Sequence, residues 1–293
     1  MSGVADDRRK SDEAVEAHNG AAQHVSIVLP VLNQLAYTQG CLRSLDADLR
    51  HGVELIVIDN GSDDETRKYL ASLPGIKLVR NDTNRGCAPA WNQGAQLAQR
   101  EWIVILNNDV LLAPGWLDAL VQFAEEKPVD IASPAIREGL LNYPFEDYAR
   151  QFMTRMRDVH RAGVANGVCF MVRRRVFESV GNFDEEFRIG QFEDTDFFWR
   201  AQRAGFRLGT TGRAFLHHFG SATQSELRQS NAADSYEAQN RSHFRRKWNL
   251  TGWDRFWQRA GRQLRAWRWR ARERLFHGHT LYEKWLRGRL RYE

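Results

Sequence analysis

Short apolar runs rich in β-branched residues, each followed by polar or turn residues, constrain the fold of this chain most. They lie at residues 24–29, 54–58 and 102–106, with a shorter run at 77–80. Such runs are typical of strands that are buried on both faces of a parallel sheet. We therefore predict a core of parallel strands.

Helical periodicity separates these runs, at residues 37–49, 64–73, 88–98 and 114–125. The alternation of strands and helices predicts an α/β fold with a mostly parallel central sheet and helices on both faces.

The second part of the chain is less regular. Residues 136–165 lack a clean period, which predicts a loop with short helical pieces. A strand at 165–173 and helices at 174–180 and 197–205 are predicted to follow.

Polar clusters follow three of the predicted strands, at residues 30–33, 59–63 and 107–109. Each cluster alone is typical of a turn or a helix cap. The carboxyl ends of parallel strands meet at one edge of a sheet, where ligands bind in such folds. Three clusters together therefore predict a binding site at this edge.

Composition sets apart the two ends of the chain. The first 22 residues are charged and lack an apolar stretch, which predicts a disordered tail and no secretion signal. Residues 251–293 carry twelve Arg or Lys against four Asp or Glu, while the whole chain has a net charge of only +5. Three distant cysteines favour a reducing, cytoplasmic compartment, and no run is apolar enough to predict a transmembrane helix.

Several segments, taken in order, resemble the inverting family-2 glycosyltransferases with the Rossmann-like GT-A fold. They are VSIVLPVLN, ELIVIDNGSDD, NRGCAPAWNQG, WIVILNNDV, FEDTDFFWRAQRAGFRL and LHHFGSAT, and the resemblance covers roughly residues 24–250. It implies a nucleotide-sugar-binding half at 23–135 and an acceptor-binding, catalytic half at 136–250. Nucleotide-sugar contacts are implied for Pro30, Asn33, Asp59, Asn60, Arg85, Gly86, Asn107 and Asn108.

The resemblance also implies a divalent metal, Mn²⁺ or Mg²⁺, held against the diphosphate of the donor. The family uses an Asp-x-Asp motif there, whereas this chain has Asn-Asn-Asp and keeps one carboxylate, Asp109. The resemblance implies that a histidine is a further ligand in this site, which has a single carboxylate. Because adjacent residues of a strand point to opposite faces, only one of His217 and His218 can do so, and we favour His218.

Glu193 and Asp194 correspond to the catalytic acids of the family. The resemblance makes Asp194 the general base that deprotonates the acceptor hydroxyl, and Glu193 a residue that binds or orients the acceptor. Without the resemblance, the pair would be typical of a helix N-terminus.

The basic segment 251–293 is predicted to be an amphipathic helical extension. Its tryptophans and arginines suit an anionic membrane surface, with contacts from Trp253, Trp257, Trp267, Arg262 and Arg265. Packing of the apolar stripe on the catalytic domain or on a second subunit is the alternative, and nucleic-acid binding is a weaker one.

The resemblance implies an inverting transfer from a UDP- or dTDP-sugar to a glycan or lipid-linked acceptor, in bacterial surface polysaccharide synthesis at the inner face of the cytoplasmic membrane. A nucleotidyltransferase and a non-catalytic sugar-nucleotide-binding scaffold are the alternatives. The first would need a phosphate-binding loop after the first strand, which PVLNQLAYTQG does not provide.

Overall fold

The computed structural model describes residues 22–220 and 233–293. Apart from residue 22, the tail predicted for residues 1–22 lies outside this part of the chain. The strands are β1 (Val25–Val31), β2 (Glu54–Asp59), β3 (Lys77–Arg80), β4 (Trp102–Leu106), β5 (Val110–Leu112), β6 (Ile131–Glu138), β7 (His160–Ala162), β8 (Cys169–Arg173), β9 (Leu208–His218), β10 (Tyr282–Leu286) and β11 (Arg289–Tyr292).

Helices connect these strands. They are α1 (Leu35–Ser44), α2 (Asp46–Arg50), α3 (Glu65–Ser72), α4 (Cys87–Leu97), α5 (Trp116–Glu126), α6 (Phe145–Met156), α7 (Arg174–Val180), α8 (Glu193–Arg203), α9 (Ala233–Lys247) and α10 (Gly252–His277).

The predicted α/β architecture is confirmed, and the sheet is mixed. Its main path runs β11-β10-β6-β8-β4-β1-β2-β3, and β9 pairs with β5, β6 and β7. Strands β3, β2, β1 and β4 are parallel, as the apolar runs predicted, whereas β8 runs antiparallel between β4 and β6. The parallel half therefore brings the ends of β1 and β4 to one edge.

The core lies on both faces of the sheet. Ile27 and Leu29 of β1 pack in the layer that contains buried residues of α1 and α5. Val28 points to the opposite layer, which contains buried residues of α4 and α8. The helices on both faces are thus those that the alternating sequence predicted.

The region predicted as a loop at residues 136–165 is more ordered than expected. It contains the end of β6, the helix α6 and the short strand β7. Helix α6 buries Ala149, Phe152 and Met156, which lie three and four residues apart on one face. The sequence contains this apolar spacing, but the charged residues between the three positions hide the helical period.

The C-terminal extension divides into two parts. Helix α10 matches the prediction, begins with a capping box between Thr251 and Asp254, and ends at Gly278. The expectation of further helix is corrected from Tyr282 onward, where β10 and β11 form a hairpin and β10 pairs in parallel with β6. None of the described helices is long and apolar enough to cross a membrane.

Candidate functional site

A cavity of about 510 Å³ opens at the carboxyl ends of β1 and β4. Most of the residues that the sequence predicted for the site lie on its walls, namely Pro30, Asn60, Gly86, Asn107, Asn108, Asp109, Glu193, Asp194 and His218. We call it the donor cavity, after the nucleotide-sugar donor that the sequence resemblance implies for these residues. The predicted convergence of strand-end clusters is therefore present in the structure.

Asn33, Asp59 and Arg85 do not line the donor cavity. Asp59 is buried, and one of its carboxylate oxygens accepts the backbone N–H of Ser62 at 2.9 Å. The Asn33 backbone N–H donates to the Ser62 hydroxyl, and the Asn33 side-chain oxygen accepts the N–H of Asp63, each at 2.9 Å. These residues join the loops after β1 and β2, while Arg85 is exposed.

Asn60 connects the cavity wall to the turn before α4. Its amide nitrogen donates to the Asn84 side chain at 3.0 Å and to the Gly86 carbonyl at 3.2 Å, and its oxygen accepts the Arg85 N–H at 3.2 Å. Gly86 has a φ of 91°, and a Cβ there would lie 3.0 Å from the Ile189 nitrogen. The positive φ and this close approach both require glycine.

Asp109 and His218 lie together at the end of the antiparallel pair β5 and β9. The His218 Nε2 is 3.3 Å from an Asp109 carboxylate oxygen, whereas the buried His217 bonds the Tyr143 hydroxyl at 2.8 Å from Nδ1. Of the two histidines, His218 is therefore the one on the cavity wall. Burial opposes the charged form of His218, but its hydrogen bond to Asp109 and nearby negative charge raise the pKa overall.

Asp109 and His218 fit a divalent metal whose other ligands would come from the substrate. Among the described residues no group of three or more His, Cys, Asp or Glu side chains could hold a metal ion. Mg²⁺ and similar ions are commonly bound by one or two carboxylates together with substrate phosphates. Asp109 and the half-buried His218, whose buried Nδ1 has no hydrogen-bond partner, can supply a carboxylate and an imidazole.

Glu193 and Asp194 lie in the first turn of α8. Asp194 accepts the backbone N–H of Thr195 at 2.6 Å. Its other carboxylate oxygen would be 2.1 Å from a Cβ at position 167, so Gly167 leaves the space that this carboxylate occupies. Burial raises the pKa of both acids, and the charge of Asp194 raises the pKa of Glu193 further.

A strained loop leads into these two acids and is clamped from α9. Ile189, Gln191 and Phe192 all have positive φ, which costs about 1–3 kcal/mol for each such residue. The buried Asn240 donates to the carbonyls of Arg188 at 2.9 Å and Gly190 at 2.8 Å. No local pattern in the sequence points to Asn240, because only the tertiary fold brings α9 to this loop.

The C-terminal hairpin also reaches the donor cavity, which the sequence did not predict. Tyr282 and Lys284 of β10 line it, and both donate to the carboxylate of Glu138, at 2.8 and 2.6 Å. Burial opposes ionisation of Glu138, but these hydrogen bonds hold its pKa below the usual value. Lys284 is the one lysine or arginine among the described residues that line this cavity.

Comparison with known proteins agrees with the fold. The family model described as "Glycosyl transferase family 2" matches residues 26–181. An N-acetylglucosaminyl-diphospho-decaprenol L-rhamnosyltransferase of Mycobacterium tuberculosis is 28% identical over 239 residues, which cover 65% of this chain and 76% of that protein.

Other similarities cover less of the relative. The uncharacterized protein y4gI of Sinorhizobium fredii is 24% identical over 68% of this chain, but the match spans only 25% of that protein. The crystal structure of GalNAc-T7 with UDP, GalNAc and Mn²⁺ has a TM-score of 0.53 at 16% identity, covering 67% of this chain and 44% of that one. At this identity the structural likeness shows the fold alone.

Proposed function

The chain belongs to glycosyl transferase family 2, and from this premise we propose that it transfers a sugar with inversion from a UDP- or dTDP-sugar to a hydroxyl of a glycan or lipid-linked acceptor. One observation carries the proposal: Asp109, His218 and Asp194 lie on the walls of one cavity at the carboxyl end of the parallel strands. The rhamnosyltransferase relative, named for a lipid-linked acceptor, supports hexosyl or rhamnosyl transfer in surface polysaccharide synthesis.

Asp194 is the general base in this proposal. It accepts the proton of the acceptor hydroxyl while that oxygen bonds to the anomeric carbon and the bond from this carbon to the diphosphate breaks on the opposite face. Such proton transfer contributes roughly 10²- to 10⁴-fold to the rate. Glu193, whose pKa is raised by burial and by Asp194, stays protonated over a wider pH range and donates a hydrogen bond to the acceptor.

Asp109 and His218 would hold the divalent metal, Mn²⁺ or Mg²⁺. When bound, the metal supplies positive charge against the diphosphate of the donor. The need for it follows from the wall of the cavity, which carries Asp109, Glu138 and Asp194 as negative groups. Lys284 adds one positive charge from β10 to stabilise the leaving diphosphate.

The remaining predicted donor residues divide by position. Pro30, Asn60, Gly86, Asn107 and Asn108 line the cavity and would contact the nucleotide sugar. We assign Asn33 and Asp59 to positioning the loops beside the nucleotide. Exposed Arg85 would reach the phosphates only if its side chain turned inward.

Helix α10 supports the proposed contact with an anionic membrane at the inner face of the cytoplasmic membrane. Trp253, Trp257 and Trp267 are 71%, 65% and 63% exposed, so the stripe does not pack on the catalytic part of this chain. Arg262 and Arg265 are exposed on the same helix. A cationic helix with interfacial tryptophans binds an anionic leaflet through apolar burial and charge together.

Vesicle cosedimentation tests the membrane proposal. We expect binding to phosphatidylglycerol vesicles and little binding to phosphatidylcholine vesicles. Arg265→Gln should weaken the anionic binding by roughly fivefold, the effect of about 1 kcal/mol per basic residue. Replacement of the three tryptophans by alanine should weaken it more. Equal sedimentation of the tryptophan variant and the unmodified protein would contradict the proposal.

A thermal-shift screen tests the proposed donor site. Purified protein is heated with UDP, dTDP, GDP or CDP, each with Mn²⁺ and with chelator. A ligand that binds the folded state raises the apparent melting temperature by mass action. We expect a shift with UDP or dTDP that disappears on chelation. No shift with any nucleotide would overturn the donor assignment.

A further inference from the structure

A second concave surface lies beside the donor cavity, on the other side of the first turn of α8. It has a volume of about 450 Å³ and is lined by residues of α8, α9, α10 and their connections. We call it the arginine groove, after Arg241, Arg245, Arg255, Arg259 and Arg262, which all line it. Nothing in the proposed donor chemistry uses this surface.

The floor of the groove is aromatic. Phe192, Trp199 and Phe244 line it, and the Phe244 ring lies 5.3 Å from the Phe192 ring and 4.9 Å from the Trp199 ring, centroid to centroid. Asp196 fixes this floor, because it accepts the indole N–H of Trp248 and the ammonium of Lys247, each at 2.9 Å. The groove is therefore a built apolar surface between α8 and α9.

The rim of the groove is cationic and uncompensated. Among the residues that the structure describes, no acidic residue lines it, and none of the five arginines forms an ion pair with a described carboxylate. Guanidinium groups bind phosphates through two parallel hydrogen bonds. An apolar floor with such a rim is complementary to a ligand that joins an apolar chain to a phosphate.

The groove and the base share the first turn of α8. Phe192 and Thr195 line the groove, while Glu193 and Asp194, which lie between them in sequence, line the donor cavity. A sugar carried by a phosphate in the groove would therefore lie one helical turn from the proposed base.

The far end of the groove continues into the exposed apolar stripe of α10. Phe256 belongs to both, since it lines the groove and is 60% exposed, and Trp253 and Trp257 follow on the stripe. An apolar chain that leaves the groove here would remain in contact with the surface proposed to face the membrane.

We propose that the arginine groove binds an isoprenyl diphosphate, the carrier end of a lipid-linked acceptor, with the arginines on the diphosphate and the aromatic floor under the first isoprene units. This inference rests on the proposed glycosyl transfer and names the acceptor class. The groove presents the carrier-linked sugar to Asp194.

Calorimetric titration of the full chain with geranylgeranyl diphosphate, in excess chelator, tests the inference. Chelator removes the metal that the acidic donor cavity needs for a diphosphate, so binding under this condition reports the groove. We expect geranylgeranyl diphosphate to bind. Inorganic diphosphate, which lacks the apolar chain, and geranylgeraniol, which lacks the diphosphate, should each bind at least roughly tenfold more weakly.

Variants locate the binding site. Arg245→Gln with Arg259→Gln should weaken geranylgeranyl diphosphate binding by roughly tenfold or more. Arg270→Gln removes one positive charge, half as many as the groove pair, from an exposed position of α10 outside the groove and should leave binding unchanged. Phe256→Ala should weaken binding of geranylgeranyl diphosphate and not of inorganic diphosphate.

Three results would overturn the inference. They are no binding of geranylgeranyl diphosphate in chelator, an equal loss of affinity in the groove pair and in Arg270→Gln, or phosphatidylglycerol that competes for the site as well as geranylgeranyl diphosphate itself. The nucleotide thermal shift with Mn²⁺ separates this failure from failure of the proposed function. A groove variant that keeps this shift and loses isoprenyl diphosphate has lost the acceptor site alone. A protein that binds isoprenyl diphosphate but no nucleotide contradicts the donor assignment instead.

Discussion

The donor cavity and the arginine groove are neighbours with opposite charge. The cavity is lined by Asp109, Glu138, Glu193 and Asp194 against Lys284 and His218, whereas the groove is lined by five arginines and, within the described part of the chain, by no acidic residue. Both are proposed to bind a diphosphate. A bound diphosphate needs positive charge around it. In the donor cavity a metal would be the main countercharge, whereas in the groove the guanidinium groups would supply it.

This difference has a consequence for specificity. In the absence of a metal, the carboxylates of the donor cavity would repel an isoprenyl diphosphate. Unpaired or repulsive charge is an effective way to exclude the wrong partner. The charge contrast would favour the carrier diphosphate of the acceptor in the groove, while its sugar hydroxyl reaches Asp194 in the donor cavity.

The largest expected effect is that of Asp194→Asn, which removes the base from the shared turn. We expect kcat to fall by roughly 10²- to 10⁴-fold, because the amide cannot accept the proton. Nucleotide binding with Mn²⁺ should change little. The assay is transfer of radiolabelled sugar to a lipid-linked acceptor, with nucleotide binding followed separately.

Asp158→Asn is a matched control, since Asp158 is exposed and lines neither site. Its activity should equal that of the unmodified protein. If Asp194→Asn retained full turnover, the assignment of the base would be wrong and a non-catalytic, scaffolding role would gain support.

A smaller effect is expected for Lys284→Gln, which removes the one lysine or arginine that the described chain places on the donor cavity wall. Affinity for the nucleoside diphosphate should fall by roughly tenfold, because a charge-assisted hydrogen bond is lost. Glu138, which accepts from Lys284 at 2.6 Å, would then add uncompensated negative charge.

Titration of nucleoside diphosphate in the presence of Mn²⁺ measures this effect. Arg287→Gln, in the exposed turn of the same hairpin, should bind as the unmodified protein does. A Lys284→Gln variant with unchanged affinity would show that the metal alone neutralises the diphosphate. Binding of geranylgeranyl diphosphate in the groove should be unaffected by either variant.

The sequence predicted the donor side of this comparison far better than the acceptor side. Continuous apolar runs specify buried parallel strands, and polar residues after β1, β2 and β4 specify their common edge. Local sequence carries that information. Alternation along β9 also predicted that only one of His217 and His218 would face the cavity, and in the structure it is His218.

Long-range contacts account for what the sequence did not predict. Lys284 reaches the cavity because β10 pairs with β6, about half the chain away, and Asn240 reaches the strained loop because α9 packs beside it. The arginines of α9 and α10 have no local pattern that predicts a groove. For Asp59 the sequence predicted contact with the ligand, and the structure shows in addition that this carboxylate accepts the Ser62 N–H; the contact with a nucleotide stays a prediction.

The smallest expected effect concerns the stability of the acidic side. Burial and the charge of Asp194 raise the pKa of Glu193 above its unfolded value, so ionisation of Glu193 costs more in the folded protein than in the unfolded chain. Its contribution to stability is therefore full below the ordinary glutamate pKa of about 4.3 and is lost as pH rises through the raised pKa.

Glu193→Gln removes this dependence, because glutamine does not titrate. We expect the free energy of unfolding of the unmodified protein to fall, relative to the variant, between about pH 5 and about pH 9, by about 1.4 kcal/mol for each unit of pKa shift. Urea denaturation across this range measures it. Exposed Glu178→Gln should run parallel to the unmodified protein, and a Glu193→Gln curve that did the same would contradict the raised pKa. In that case Glu193 would be ionised beside Asp194, and the donor cavity would need still more positive charge than one metal and Lys284 supply.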